Sequence, residues 1–419
     1  MDRRTFLHHS AALAASATLL APARAAHPED PRLVFLLLRG GLDGLWAVPA
    51  LNDPAFAVAR GSLAQYPGTP LPLAEGFALH PSLTQMHGLW QAGELSVLHA
   101  VATPYRDRSH FDAQNLLETG GAAPFALRDG WMNRTAQALA SGSGRSGLGT
   151  EHPLAVALSP AIPLVLQGDA AVTNWSAARL SALPDDTLAR LARMYGAHPA
   201  LATPLAQARE ASDVMAAASM PKPNADSSGT RSMGVNGREI AESLAPANNA
   251  LPALAAQAAR FLAAPEGPRL AVIESTGWDS HAAQAIPQAQ LARNLGLLDQ
   301  ALAQLKQQLG PVWSRTVVLV ATEFGRTVAP NGTGGTDHGN GTVAFVAGGA
   351  VRGGRLHTDW PGLAPAQLLD GRDLRPTTDL RVVLASLLAD HLKIGSAALR
   401  ERVLPGVTPS SAWAGRLIA

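Results

Sequence analysis

The apolar positions of the 419-residue chain fall into short unbroken runs, separated by stretches with a three-to-four-residue period. Leu33–Leu38, Leu95–Val101, Leu270–Glu274 and Thr316–Ala321 are continuous and rich in Leu or β-branched residues, and Thr342–Val346 is a fifth run of the same kind. Unbroken runs belong to strands covered on both faces, as in a parallel sheet between helices. Between them, Leu83, Met86, His87 and Trp90 share one stripe of a helix over Pro81–Gln91. Leu291, Leu295, Leu298, Leu302 and Leu305 share another in a long helix over Ala283–Leu309. Thr378 or Asp379 can cap a last helix whose stripe includes Val382, Leu384 and Leu388. The alternation predicts an α/β fold, a mostly parallel central sheet with helices on both faces.

Breaks in the pattern divide the chain further. Ser141–Thr150, Met220–Arg238 and Asn331–Thr336 are rich in Gly, Ser, Asn or Pro and read as loops, the second of them mobile over roughly 220–238. Roughly 154–264 is largely helical by pattern, as an insertion over the sheet. Residues 1–25 read as a signal peptide. Arg3-Arg4 is followed by Thr5-Phe6-Leu7, a mildly apolar stretch runs from Ala11 to Ala21, and Ala23-Arg24-Ala25 offers a cleavage site. A paired arginine in this place addresses the twin-arginine export machinery and predicts a folded, periplasmic protein. The apolar stretch is far shorter than the roughly 20 residues of a spanning helix, so no stable membrane anchor is expected. Residues 26–419 then form a single domain.

Net charge is +1, with no excess to suggest nucleic acid as a partner. Cysteine is absent, so any metal must be held by His, Asp, Glu or backbone oxygen. The ends of the predicted strands carry such residues. Arg39-Gly40-Gly41-Leu42-Asp43-Gly44 follows the first, and Tyr105-Arg106-Asp107-Arg108-Ser109-His110-Phe111-Asp112 the second. Trp278-Asp279-Ser280-His281 follows the Leu270 run, and Glu323-Phe324-Gly325-Arg326 then Thr336-Asp337-His338 follow the Thr316 run. Functional groups of a parallel sheet gather beyond the carboxyl ends of its strands. Paired Asp and His donors suit a divalent metal, and two such pairs with an extra carboxylate suffice for a two-metal site. The plainer alternative is an Asp that caps each turn and a His that is a satisfied polar residue. Ser109 precedes a helix over His110–Glu118, so its hydroxyl is either an N-cap or a group poised at an anion site, with Arg106 and Arg108 suited to phosphate or sulfate oxygens.

Taken in order, Leu38–Leu45, Arg108-Ser109-His110-Phe111-Asp112-Ala113-Gln114 with Glu118-Thr119-Gly120, Trp278–His281, Glu323–Thr327 and Gly335–Gly339 resemble the exported bacterial domain-of-unknown-function family 1501. That family resembles the alkaline phosphatase and sulfatase superfamily. The resemblance implies an alkaline phosphatase-like sheet with a divalent metal (Zn, Mn or Mg) at the strand ends and a small anionic ester as substrate. It implies Asp43, Asp279, His281, Asp337 and His338 as ligands, with Glu323 or His357 as further donors. Ser109 would be the nucleophile, and Arg106, Arg108 or Arg326 would stabilise developing charge. The sulfatase Cys or Ser signature is not reproduced. Glu323-Phe324-Gly325-Arg326 stands where an Asp-His pair directly after a late strand is usual. The rival expectation is a non-catalytic protein that binds an anionic glycan, lipid or partner protein through the same cleft.

Overall fold

The computed structural model describes residues 29–142, 153–176, 190, 192–195, 250–286 and 289–419; the signal-peptide reading and the 220–238 loop lie outside them. Among the described residues eleven strands are formed in chain order: β1 Arg32–Leu38, β2 Leu71–Pro72, β3 Ala78–Leu79, β4 Leu95–Ala102, β5 Ala155–Ala157, β6 Val172–Asn174, β7 Leu270–Ser275, β8 Thr316–Thr322, β9 Thr342–Ala347, β10 Arg355–His357 and β11 Thr378–Asp379. Nine of them make one sheet in the order β10-β4-β9-β8-β1-β7-β5-β6, with β11 beside β10 on β4; β2 and β3 form a separate ribbon.

Every residue of β1 is buried, and its side chains feed two cores. Val34, Leu36 and Leu38 join one, and Leu33, Phe35 and Leu37 the other. This two-sided burial explains the unbroken apolar runs. Helices α1 (Thr84–Gln91), α4 (Leu251–Ala263) and α5 (Gln290–Leu309) supply the first core. Helices α3 (Trp131–Gly142) and α6 (Leu380–Leu392) supply the second, and α2 (His110–Thr119) follows β4. The class is α/β with a mostly parallel sheet. No described helix is long and apolar enough to cross a membrane.

Two expectations are corrected, and a third, the helical insertion over roughly 154–264, lies largely outside the described residues. β9 is antiparallel to both β4 and β8. No crossover helix lies between β8 and β9, and a parallel pair would need one. The long helix begins at Gln290, not Ala283, because Ala283–Gln284 is tied by backbone hydrogen bonds to Thr333 and Gly334 of the loop after β8. The 154–264 stretch opens with two strands, β5 and β6, that extend the sheet beside β7, and closes with α4.

Candidate metal centre

The carboxyl ends of β1, β4, β7 and β8 lie at one edge of the sheet, together with the start of the reversed β9. Their loops pack closely because two positions lack a side chain. A Cβ on Gly40 (φ 125°) would lie 2.5 Å from the Asp279 backbone nitrogen, and one on Gly335 would lie 2.2 Å from the His281 carbonyl carbon. The loops after β4, β7 and β8 thereby bring three histidines and a carboxylate to one point.

Each imidazole has its Nδ1 proton held from outside. His110 Nδ1 donates to Glu323 Oε1 (2.8 Å), His338 Nδ1 to the Arg108 carbonyl (3.0 Å) and His281 Nδ1 to Asp337 Oδ1 (3.3 Å). That fixes one tautomer three times over and leaves three Nε2 atoms facing inward. His338 Nε2 lies 3.0 Å from His110 Nε2 and 3.1 Å from His281 Nε2. Asp279 closes the group, with Oδ1 2.9 Å from His281 Nε2 and 3.3 Å from His338 Nε2, and Oδ2 3.5 Å from His110 Nε2. Donor atoms of His110, Asp279 and His338 all fall within 4.8 Å of one another. Tetrahedral bonds of about 2.0–2.1 Å to zinc would set neighbouring nitrogens about 3.3–3.4 Å apart. Inward lone pairs repel unless a cation sits among them, and an outer carboxylate or carbonyl behind each ligating imidazole is the usual support of a metal site. The residues therefore fit a divalent ion held by His110, Asp279 and His338, with His281 or solvent in a fourth position.

The surroundings are tuned accordingly. The hydrogen bond to Glu323 raises the His110 pKa, whereas burial and the neighbouring His110 charge lower that of His338. Burial alone would raise the Asp279 pKa, but the buried Arg326 guanidinium and the flanking His281 and His338 hold it below the ordinary range. Glu323 is likewise buried yet held low by His110, Gln114 and the Gly40 N–H. Arg108 takes a left-handed backbone (φ 63°) next to this point, aiming its carbonyl at His338. Because metal must displace the His110 proton, affinity should fall as pH drops through the raised His110 value. Zinc titrations between about pH 5 and 8 test this, and a flat profile would remove His110 from the ligand set.

Residues 74–403 match the sequence model of DUF1501, described as a protein of unknown function. The chain belongs to the DUF1501 family. No curated protein matches it in sequence. Among solved structures, Ps i-CgsB in complex with k-i-k-neocarrahexaose is similar over 91% of this chain and 78% of that one, at 8% identity and a TM-score of 0.39. The PsFucS1 sulfatase from Pseudoalteromonas sp. is similar over 83% and 67%, at 14% identity and a TM-score of 0.35. The zinc complex of the C-terminal periplasmic domain of EcEptC from Escherichia coli is similar over 77% and 74%, at 11% identity and a TM-score of 0.33.

In this DUF1501 chain the expected site residues divide into groups. Asp279, His281 and His338 come together, and Glu323 and Asp337 stand behind them as proton acceptors for His110 and His281. Asp43 does not join them. Its Oδ2 takes hydrogen bonds from Arg60 (2.6 Å) and Gln284 (2.6 Å), and its Oδ1 caps the short helix Gly44–Ala47 through the Trp46 N–H. His357 lies on β10, against Trp413, with its pKa lowered to about 4 by burial. Arg326 grips Asp279 and the Thr336 carbonyl, Arg108 pairs with Asp370 and Asp373, and Arg106 bonds the Thr103 and Tyr105 carbonyls. All three arginines are thus engaged by the protein itself. Ser109 occupies the N-cap position of α2, but its side chain makes no capping hydrogen bond, and Asp112 accepts from the Tyr105 hydroxyl instead of completing a capping box. His110, quoted in the sequence as a strand-end histidine and a helix start but not offered as a metal donor, is the donor that reading missed. The signal available was that its strand end also carried a His beside acidic residues.

Proposed function

We propose that this protein is a periplasmic, metal-dependent hydrolase of phosphate or sulfate esters, exported folded through the twin-arginine route. The observation that carries this is the convergence of three Nε2 atoms and the Asp279 carboxylate, each imidazole with its other proton already held. An imidazole-rich donor set favours Zn or Mn over Mg, which prefers oxygen ligands. A divalent ion bound there supplies Lewis acidity toward an ester oxygen. The chain contributes the rest. Arg326 fixes the Asp279 carboxylate and keeps it ionised. Glu323 and Gln114 fix the ring of His110 and the carboxylate behind it. Ser109 sits at the positive end of α2, between Arg108 and His110, both of which contact His338. In the proposed step the Ser109 Oγ–H bond breaks as Oγ bonds to phosphorus or sulfur, the bond to the leaving alcohol oxygen breaks and that oxygen takes up the proton, and water then cleaves the seryl ester to release phosphate or sulfate and restore the serine.

The test is turnover of p-nitrophenyl phosphate, bis-p-nitrophenyl phosphate and p-nitrophenyl sulfate by protein loaded with zinc or manganese. We expect turnover that a chelator removes. Ser109→Ala should abolish it with metal content unchanged and stability altered by no more than about 0.5 kcal/mol, since no cap bond is lost. Turnover that survives in Ser109→Ala would exclude the serine as nucleophile. The full engagement of Arg106, Arg108 and Arg326 leaves no free guanidinium among the three to stabilise developing charge, which favours a second reading without turnover, in which the metal alone holds the anion. It predicts metal at the site and no turnover of any of the three esters.

A further inference from the structure

A groove of about 380 Å³ opens beside the metal centre, a size within the usual range for small-ligand sites. Val58, Ala59, Pro330, Leu363 and Leu368 form its walls. Val58, at 88% exposure, is the most exposed large apolar residue among those described. Three other lining residues are parts of the centre's scaffold. Asp337 accepts the His281 proton, Asn331 donates to both Asp337 and the His281 carbonyl, and the Thr327 hydroxyl accepts from the Asp337 N–H beside Arg326. The groove and the inward-facing histidines therefore share walls.

Charge along the groove fixes which end of a ligand goes where. Asp337 stands at the junction with the centre and disfavours an anionic group inside the groove. Arg372, the one cation in the lining, is paired with Asp373. An anionic head is thus directed to the metal, while the apolar wall is left for something apolar. An uncovered apolar surface of this kind gains by burying hydrocarbon.

We infer that the groove between Val58 and Leu368 receives the apolar arm of the ester whose anionic head sits at the His110–Asp279–His338 centre, so that the substrate is amphiphilic, a phosphate or sulfate ester carrying a hydrocarbon chain. This rests on the metal-centre reading. Binding rather than turnover tests it. Calorimetry on the zinc-loaded chain with methyl, butyl and octyl phosphate should show affinity rising about three- to fourfold per buried methylene. Val58→Asp should flatten that rise and leave methyl phosphate binding unchanged. Equal affinities across the series, with chelator-sensitive binding of methyl phosphate, would overturn the inference and leave the metal centre standing. A rise that persists unchanged in the chelator-treated protein, or in Val58→Asp, would place the chain elsewhere and overturn it too. No binding of methyl phosphate to the zinc-loaded protein would defeat the metal-centre reading and the inference with it.

Discussion

His110→Ala is expected to weaken metal binding more than about 100-fold and to remove any ester turnover with it. The variant removes one of the three donors within 4.8 Å and leaves the Glu323 carboxylate facing an empty space. Loss of an outer-shell partner alone typically weakens a metal site 10–100-fold, so loss of this ligand should exceed about 100-fold. Elemental analysis of the purified variant, beside a zinc titration of the metal-free form, reads the effect. Metal retained at the wild-type level would mean that the histidines are a hydrogen-bonded cluster with no ion.

The second large effect is on stability. Asp43 and Arg60 form an ion pair with both side chains almost wholly buried. Asp43→Ala leaves the guanidinium with two backbone carbonyl partners, those of Thr327 and Val328, but no counter-charge. Stranding one member of a buried pair costs about 3–5 kcal/mol. The urea midpoint should fall accordingly, while the protein that remains folded keeps its metal. A variant of normal stability that has lost its metal would restore Asp43 to the ligand set, where its position after β1 first suggested it.

These two residues show where sequence legibility stops. All five apolar runs form strands, because two-sided burial writes itself directly into the chain as unbroken Leu and Val. The short strands β5, β6, β10 and β11 were not legible; two or three residues carry no period. The direction of β9 is set by the loop between it and β8 rather than by its own residues. At the site, the strand-end position of Asp279, His281, Glu323, Asp337 and His338 was readable, but which of them face inward was not. That depends on which atom each Nδ1 meets across the edge, a tertiary matter. Asp43 looked like a ligand because Arg60, its partner, lies in a helix with no motif around it. His110 looked like a helix start, which it also is.

The inward donors are far apart along the chain, with His110 and His338 separated by 228 residues. No local segment supplies the full donor set, and an unfolded chain offers only separate Asp-His pairs and the distant His110. Metal capture is then coupled to closure of nearly the whole sheet, because β1, β4, β7 and β8 must all be in register before the three rings meet. A long-range closure of this kind comes late in folding. Occupancy of the centre would therefore act as a proofreading mark, carried by finished molecules and absent from partly assembled ones.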